Sequence, residues 1–278
     1  MQSTPMTQTL VLTDFTPDHL AGALRLSQAV SWPHRTEDWA MLLELGRGVV
    51  ALEGTRVIGT ALGCAFGPSQ SVANMIIVDA AYQGRGLGRR LMQAVLPSQG
   101  TCRLVATAEG LPLYHKLGFQ ETGRVLQYQG ALTQCPAPKG PTRRAEAGDL
   151  DQIIALESAS YGGDRAALVR WLAENAQLTV QEDSAGQITG LAASRPFGRG
   201  YVIGPVVAPD AEAAQNLIAA AAQGQEGQFL RVDTTDKAGL GPWLETLGLA
   251  HVGGGVTMQR GDAPPAGLRH ALFSQALG

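Results

Sequence analysis

Between Gln83 and Gly88 the chain reads Gln-Gly-Arg-Gly-Leu-Gly. Three alternate glycines let a backbone approach a bulky group closely and adopt dihedrals closed to other residues. Before the loop stands Met75-Ile76-Ile77-Val78, an apolar run long enough for a buried strand. After it, Leu87, Leu91, Met92 and Val95 recur at helical spacing and define one apolar face. The first turn of such a helix has amide N–H groups without intrahelical partners and carries the positive end of the helix dipole. Strand, glycine loop and helix start together make an anion site, most often for a phosphate. Arg85 and Arg89 add positive charge to the same corner. A tight strand-to-helix turn would use the glycines equally well, so the loop alone leaves both readings open. The Rossmann spacing Gly-x-Gly-x-x-Gly is not met, and Gly100 to Leu104 offers no acid for a ribose. A P-loop fails because no Gly-Lys-Ser/Thr comes after the glycines.

The elements around the loop can be taken in chain order. Leu10 to Leu12 predicts a first strand, and Thr16 to about Val30 a first helix. Pro33 breaks it, since the residue before a proline is pushed out of helical conformation, and Thr36 can cap a second helix. Met41 to Leu45 suits the body of that helix. Val49–Leu52 and Val57–Gly63 read as two strands around the Glu53–Arg56 turn, with a further strand over Ser71–Val78. Beyond the loop and its helix, Arg103–Thr107 is another strand. Gly110 to Gly118 then makes a short helix ended by glycine, with a strand starting at Phe119.

In Gln83, Gly86 and Gly88 after Val78 the chain resembles the pyrophosphate loop of the GNAT superfamily of acyl-CoA-dependent N-acyltransferases. A second match lies downstream. That family carries Tyr-x-x-x-Gly-Phe about this far after the loop, and the pattern falls on Tyr114, Gly118 and Phe119. A tyrosine four residues before Gly-Phe is, by itself, more often a packing residue; both motifs in order, with a strand between them, carry the resemblance over roughly residues 8–130. It implies an α/β fold with a twisted mixed sheet flanked by helices. It also implies acetyl-CoA as co-substrate, with no metal. Gln83, Gly84, Arg85, Gly86, Leu87, Gly88 and Arg89 would hold the pyrophosphate, and the backbone of Ile76, Ile77 and Val78 the pantetheine arm, as a sheet edge takes a strand. Tyr114 would be the general acid, since a phenol keeps its proton at neutral pH and so has one to give to a departing thiolate.

The base that must deprotonate the amine is not readable. Many family members place a glutamate on the strand before the loop, where Ser71-Val72-Ala73-Asn74 offers none. Asp79 suits a turn as well as a base, and Glu109 suits a helix N-terminal charge. His34 and His115 titrate in a useful range, and a water chain needs no single base. Acceptor recognition in the family usually falls on the first two helices and their loop, here Trp32 to Trp39. Trp32, His34 and Trp39 could frame a small amphipathic or acidic acceptor, or the tryptophans could simply pack the helices on the sheet.

From Gln129 to Pro141 prolines and glycines mark a linker. Beyond the linker the chain repeats its first half. Asp149–Ser158 is helical like 18–27, and Gln187–Ala192 echoes Val57–Leu62. Pro242-Trp243-Leu244-Glu245-Thr246-Leu247-Gly248-Leu249 lies along Pro112 to Phe119, placing Leu244 where Tyr114 stands. At the loop position the second half has Val206-Val207-Ala208-Pro209-Asp210, with no glycine after the strand. Asp210 can cap the helix itself, and with Glu212 it would repel a pyrophosphate. The second half therefore resembles the degenerate C-terminal domain of tandem-GNAT acetyltransferases, with the run Ile203 to Ala208 as its hallmark. The expected organisation is an active domain over 1–130, a linker over 131–141, a degenerate domain over 142–262 and a tail over 263–278. A short helix is expected at Leu268 to Leu277.

Composition restricts the function classes further. The 278 residues are 45% apolar and 5% aromatic, enough for two ordinary globular domains. With 21 basic and 24 acidic residues, the net charge of −3 gives no footprint for nucleic acid. No apolar run approaches the roughly 18 residues of a membrane span. Met1 to Gln8 lacks the basic and apolar regions of a signal peptide, which points to the cytoplasm. Cys64, Cys102 and Cys135 are odd in number and unclustered, indicating neither disulfides nor zinc. The expectation is an acetyltransferase acting on a small primary amine. An acyl-CoA sensor without transfer, or a protein N-acetyltransferase, are the alternatives, and a homo-oligomer stays open.

Overall fold

The computed structural model describes residues 10–262 and 267–278; the stretch read as lacking a leader and the start of the expected tail lie outside the described residues. The chain forms two compact units. One runs to Cys64 and resumes over Ala73–Ser98, and the other comprises Ala65–Val72 with Gln99–Gly278. No helix among the described residues is long and apolar enough to cross a membrane.

In the first unit β1 (Leu10–Asp14) pairs antiparallel with β2 (Arg47–Glu53), and β2 with β3 (Arg56–Ala65). Next to β3 runs β4 (Gln70–Val78), whose first residues belong to the other unit. The helices are α1 (Leu20–Ala29), α2 (Thr36–Glu44) and α3 (Leu87–Val95). β3 is buried along almost its whole length. Gly22 of α1 presses on Val57, and Gly59 makes room for Leu91 of α3, where an added Cβ would lie 2.8 Å from the leucine Cδ1. Leu87, Leu91, Met92 and Val95 are the buried face of α3, as their spacing predicts. Thr36 does not cap α2. It is the first helical residue, and Asp38 instead reaches back to the Arg35 amide at 2.8 Å and to its guanidinium at 2.8 Å. A carboxylate satisfying the N-cap amide and holding a cation is a stronger end than a threonine hydroxyl.

The second unit builds a longer sheet. Its strands run from the start of β4 through β5 (Thr101–Ala106), β12 (Ala250–Arg260), β6 (Gln120–Ala131) and β11 (Phe229–Thr235). The order continues with β13 (Arg269–Ala271), β10 (Gly200–Val207), β9 (Ile188–Phe197), β8 (Gln177–Glu182) and β7 (Thr142–Arg144). The helices are α4 (Leu111–Lys116), α5 (Leu150–Tyr161), α6 (Ala166–Asn175), α7 (Ala211–Ala222) and α8 (Gly241–Thr246). Its apolar core gathers α7, α8 and strands β10 and β11 around Leu217, Ile218, Leu230, Val232 and Leu244.

The element order is a repeat. β1 to β6 with α1 to α4 recurs as β7 to β12 with α5 to α8. In α4 and α8 the correspondence extends to single hydrogen bonds. Tyr114 N–H donates to Gly110 O as Leu244 N–H does to Leu240 O, and Phe119 N–H donates to Tyr114 O as Leu249 N–H does to Leu244 O. Gly118 and Gly248 close both helices at positive φ, +83° and +92°. The echo between β3 and β9 is displaced by one residue from the sequence pairing. Gly190, not Thr189, is the counterpart of Gly59. An added Cβ there would meet Leu217 of α7 at 2.7 Å and Val207 O at 3.3 Å, as one at Gly59 would meet Leu91 and, at 3.3 Å, Ile77 O. The need for a helix to approach the strand, rather than residue similarity, fixes the register.

Two features cross this repeat. β12 lies between β5 and β6, and β6 lies between β12 and β11, so the last strand of each repeat pairs with the fifth strand of the other. The tail, expected as a helix over Leu268–Leu277, instead supplies β13. β10 and β11 pair in parallel only at Tyr201–Val202 with Leu230–Arg231. Beyond that point β13 enters between them, Ala271 pairing with Val206 on one side and Thr234 on the other. Diverging strands leave backbone groups without partners, and an inserted strand satisfies them where a helix could not. Residues of the linker are tied down too: the Lys139 and Gly140 amides donate to Asn216 Oδ1 on α7 at 2.6 and 3.0 Å.

Candidate active site

In the first unit the glycine loop begins where β4 ends. Met75 bends the strand with φ +51°, a left-handed conformation uncommon outside glycine, and its carbonyl accepts the Thr60 hydroxyl at 2.8 Å. Ile77 is buried, whereas Ile76 and Val78 are half-buried. Asp79 is a clamp. Its carboxylate accepts from the Ala81 amide at 3.2 Å and from Arg56 at 2.8 Å, with Arg25 at 3.5 Å. Burial opposes its ionisation, yet the Ala81 hydrogen bond and Arg56 hold the carboxyl below its ordinary range, the wrong direction for a base. Gln83 turns its side chain back to donate to Val78 O at 3.0 Å.

Gly84 and Gly86 have φ +74° and +76°, and Gly86 is the residue at the N-cap of α3. A Cβ built on either would find nothing within 4 Å. Glycine is demanded there by the backbone conformation, and the space over the loop stays open. Arg85 lies 5.5 Å from the Tyr82 ring centroid; among the described residues neither it nor Arg89 forms an ion pair. The open loop, the helix start and two uncommitted cations are the requirements of a phosphate site.

Tyr114 belongs to the second unit, on α4. It is 6% exposed, and its ring meets Phe119 edge-on at 6.0 Å. Burial pushes its phenol up to about 12, so it remains protonated throughout the physiological range. The base candidates fare worse. Glu109 is fully exposed, and hydrogen bonds from its own amide and from Thr107 hold it below its ordinary range. His115 faces the exposed Glu121 at 3.2 Å. Asn74, on β4 where family members often carry a glutamate, is buried, with its Oδ1 unpartnered among the described residues and its amide 3.8 Å from Cys64 Sγ.

The acceptor candidates of the first unit divide. Trp39 is fully buried, its indole N–H donating to Ser27 Oγ at 3.2 Å and its ring meeting Phe15 edge-on, so its role here is packing. Trp32 and His34 are half-buried with ring centroids 5.7 Å apart, and His34 lies 6.4 Å from Trp39.

The second unit also has a pocket of about 680 Å³, open to solvent. Val72 and Arg103, the last registered pair between β4 and β5, both line it. Arg103 donates to Tyr161 O at 2.7 Å and its guanidinium lies 4.6 Å from the Tyr161 ring centroid. Behind Tyr161 sits a buried charge cluster. Glu157 Oε1 accepts from Arg165 Nε at 3.1 Å and from Arg269 Nη2 at 3.0 Å. Arg165, wholly buried, stacks 4.3 Å from the centroids of both Phe66 and Tyr161. Sequence reasoning missed this group because its members are scattered from Arg103 to Arg269 and form no motif.

Residues 44–121 and 153–274 both match the family description "Acetyltransferase (GNAT) domain". The chain is 30% identical over 289 aligned positions to YitH, an uncharacterised N-acetyltransferase of Bacillus subtilis, covering 94% of this chain and 96% of that protein. Among solved structures it is similar to one from Pyrococcus horikoshii assigned as an acetyltransferase, with TM-score 0.79, 20% identity, and 100% and 99% of the two chains covered. It is also similar to a tandem GNAT protein from the clavulanic acid biosynthesis pathway, with TM-score 0.63, 14% identity, and 92% and 100% covered.

Proposed function

The chain belongs to the GNAT acetyltransferases, in the tandem arrangement, and on that premise we propose that it transfers an acetyl group from acetyl-CoA to a primary amine of a small molecule. The observation that carries this reading is the first-repeat loop, with Gly84 and Gly86 left-handed and the space over them open. In this reading the amides of Gln83 to Gly88 hold the pyrophosphate at the start of α3, and Arg85 and Arg89 add charge. The end of β4, Ile76 to Val78, pairs with the pantetheine arm. The neutral amine attacks the thioester carbonyl, the C–S bond breaks, and Tyr114 brings its proton to the departing sulfur. Burial that disfavours a phenolate disfavours a bare thiolate beside it as well, so the proton is shared as the bond breaks. With Asp79 committed to the turn and Asn74 on β4, the amine loses its proton to water.

Thiol release from acetyl-CoA with a panel of amines tests the reading. Tyr114→Phe should lower kcat by about 10²–10⁴-fold, the range of general acid catalysis, without weakening acetyl-CoA binding. Unchanged turnover with every acceptor found would remove Tyr114 from the mechanism. The same Asn74 and Asp79 geometry favours a second reading, an acyl-CoA sensor that binds without transfer. Binding of acetyl-CoA with no turnover on any amine would establish it.

A further inference from the structure

We infer that Thr60 is a positioning residue for acetyl-CoA, its hydroxyl holding the bend at Met75 that turns the end of β4 toward the pantetheine arm. This rests on the acyl-transfer reading and adds to it a residue outside the loop and α4.

β4 changes phase at the bend. In its first part Gln70 and Val72 are buried and Ser71 is half-buried; later Met75 and Ile77 are buried and Ile76 and Val78 half-buried. An alternation that slips by one residue marks a bulge, where the strand carries an extra residue and turns. Met75 lies at that slip, with φ +51°. A left-handed methionine is unfavourable by itself and persists only where its surroundings impose it. Thr60 supplies the constraint. It is wholly buried on β3, and its Oγ1 donates to Met75 O at 2.8 Å. Beyond the bend the Asp79 amide donates to Ile58 O at 2.9 Å. Ile76 to Val78, the segment read as the partner of the arm, is thus pinned to β3 before and after. The second repeat serves as a control. There β10 also slips against β9, between Ile203 and Val206. Leu191 stands one residue past Gly190, as Thr60 stands one past Gly59, and it pairs with Val207. A leucine has no donor for a carbonyl, so the second repeat keeps the slip without this hydrogen bond. The hydroxyl goes with the repeat that has the glycine loop and Tyr114.

The test compares Thr60→Val, which keeps the shape and loses the donor, with Thr60→Ser, which keeps the donor. Thr60→Val should raise KM for acetyl-CoA about tenfold and leave KM for the amine unchanged. Thr60→Ser should keep KM near that of the unsubstituted chain. A hydroxyl that served stability alone would lower the folded fraction, and with it apparent kcat, without moving KM. Calorimetry separates the arm from the loop. CoA should bind about tenfold more weakly to Thr60→Val. ADP, which has the pyrophosphate but no arm, should bind all three chains alike. Equal KM and CoA affinity in the two variants, or an equal loss for ADP, overturns the inference while acyl transfer stands. If no amine is acetylated but CoA binds, the transfer reading falls and the calorimetry still decides Thr60. Absence of CoA binding to the unsubstituted chain removes both.

Discussion

Between Val78 and Leu87 the first repeat makes a loop with two left-handed glycines and an open approach to α3; between Val207 and Ala211 the second passes from strand to helix almost directly. There Asp210 caps α7 itself. Its carboxylate accepts the Ala213 amide at 2.8 Å, satisfying the helix from within. The contrast continues along the sheet. β10 and β11 separate as diverging strands, but β13 already fills the gap between them. Where α4 carries Tyr114, α8 carries Leu244, wholly buried. The scaffold was kept to the level of individual hydrogen bonds, while the features suited to a cofactor differ in a loop, one side chain and an inserted strand. Fold and chemistry are thus separable within one chain.

The comparison can be broken by experiment. The largest effect is expected in the inserted strand. Phe273, just after β13, is fully buried against Arg195 and Trp171, and Phe273→Ala should cost about 3–5 kcal/mol in urea unfolding. A loss below about 1 kcal/mol would mean the tail is an accessory and the gap is not truly filled. Tyr114 should govern alkaline stability. Its folded value is raised, so its contribution is complete below the unfolded value near 10 and declines as pH rises toward about 12. Tyr114→Phe should therefore flatten that decline by roughly 2 kcal/mol, and an unchanged pH profile would place the phenol in water. Gly86→Ala, at φ +76°, should cost about 1–2 kcal/mol and weaken acetyl-CoA binding correspondingly. Undiminished binding in that variant would point to the second repeat as the binding half. Asp210→Ala should lose about 1 kcal/mol as a cap, with acetyl-CoA affinity unaltered.

Local chemistry was legible in the sequence. The apolar face of α3, the glycines at positive φ, the capping Asp210 and the alignment of Leu244 with Tyr114 all depend on neighbours a few residues away. The features that escaped depend on distant partners. The tail has the composition of a short helix, but the unpaired edges of β10 and β11 decide its form. The one-residue slip between β3 and β9 is set by where a leucine from a helix must press. Trp39 carries the same side chain in either role, and only its burial against Phe15 and Ser27 shows which it plays. The Glu157, Arg165 and Arg269 cluster is assembled by the topology from segments with no shared spacing.

The exchange of final strands has a consequence for the history of such a chain. Were β12 removed, β5 would be left as a bare sheet edge one turn of chain before Tyr114, and β6 would lose the neighbour that joins it to β5. A duplicated half that packs as a separate body can ordinarily be deleted without unfolding its twin. Here it cannot, because its last strand is built into the sheet of its twin. The second repeat is inherited with the first, and a cut at the linker would yield two fragments rather than two proteins.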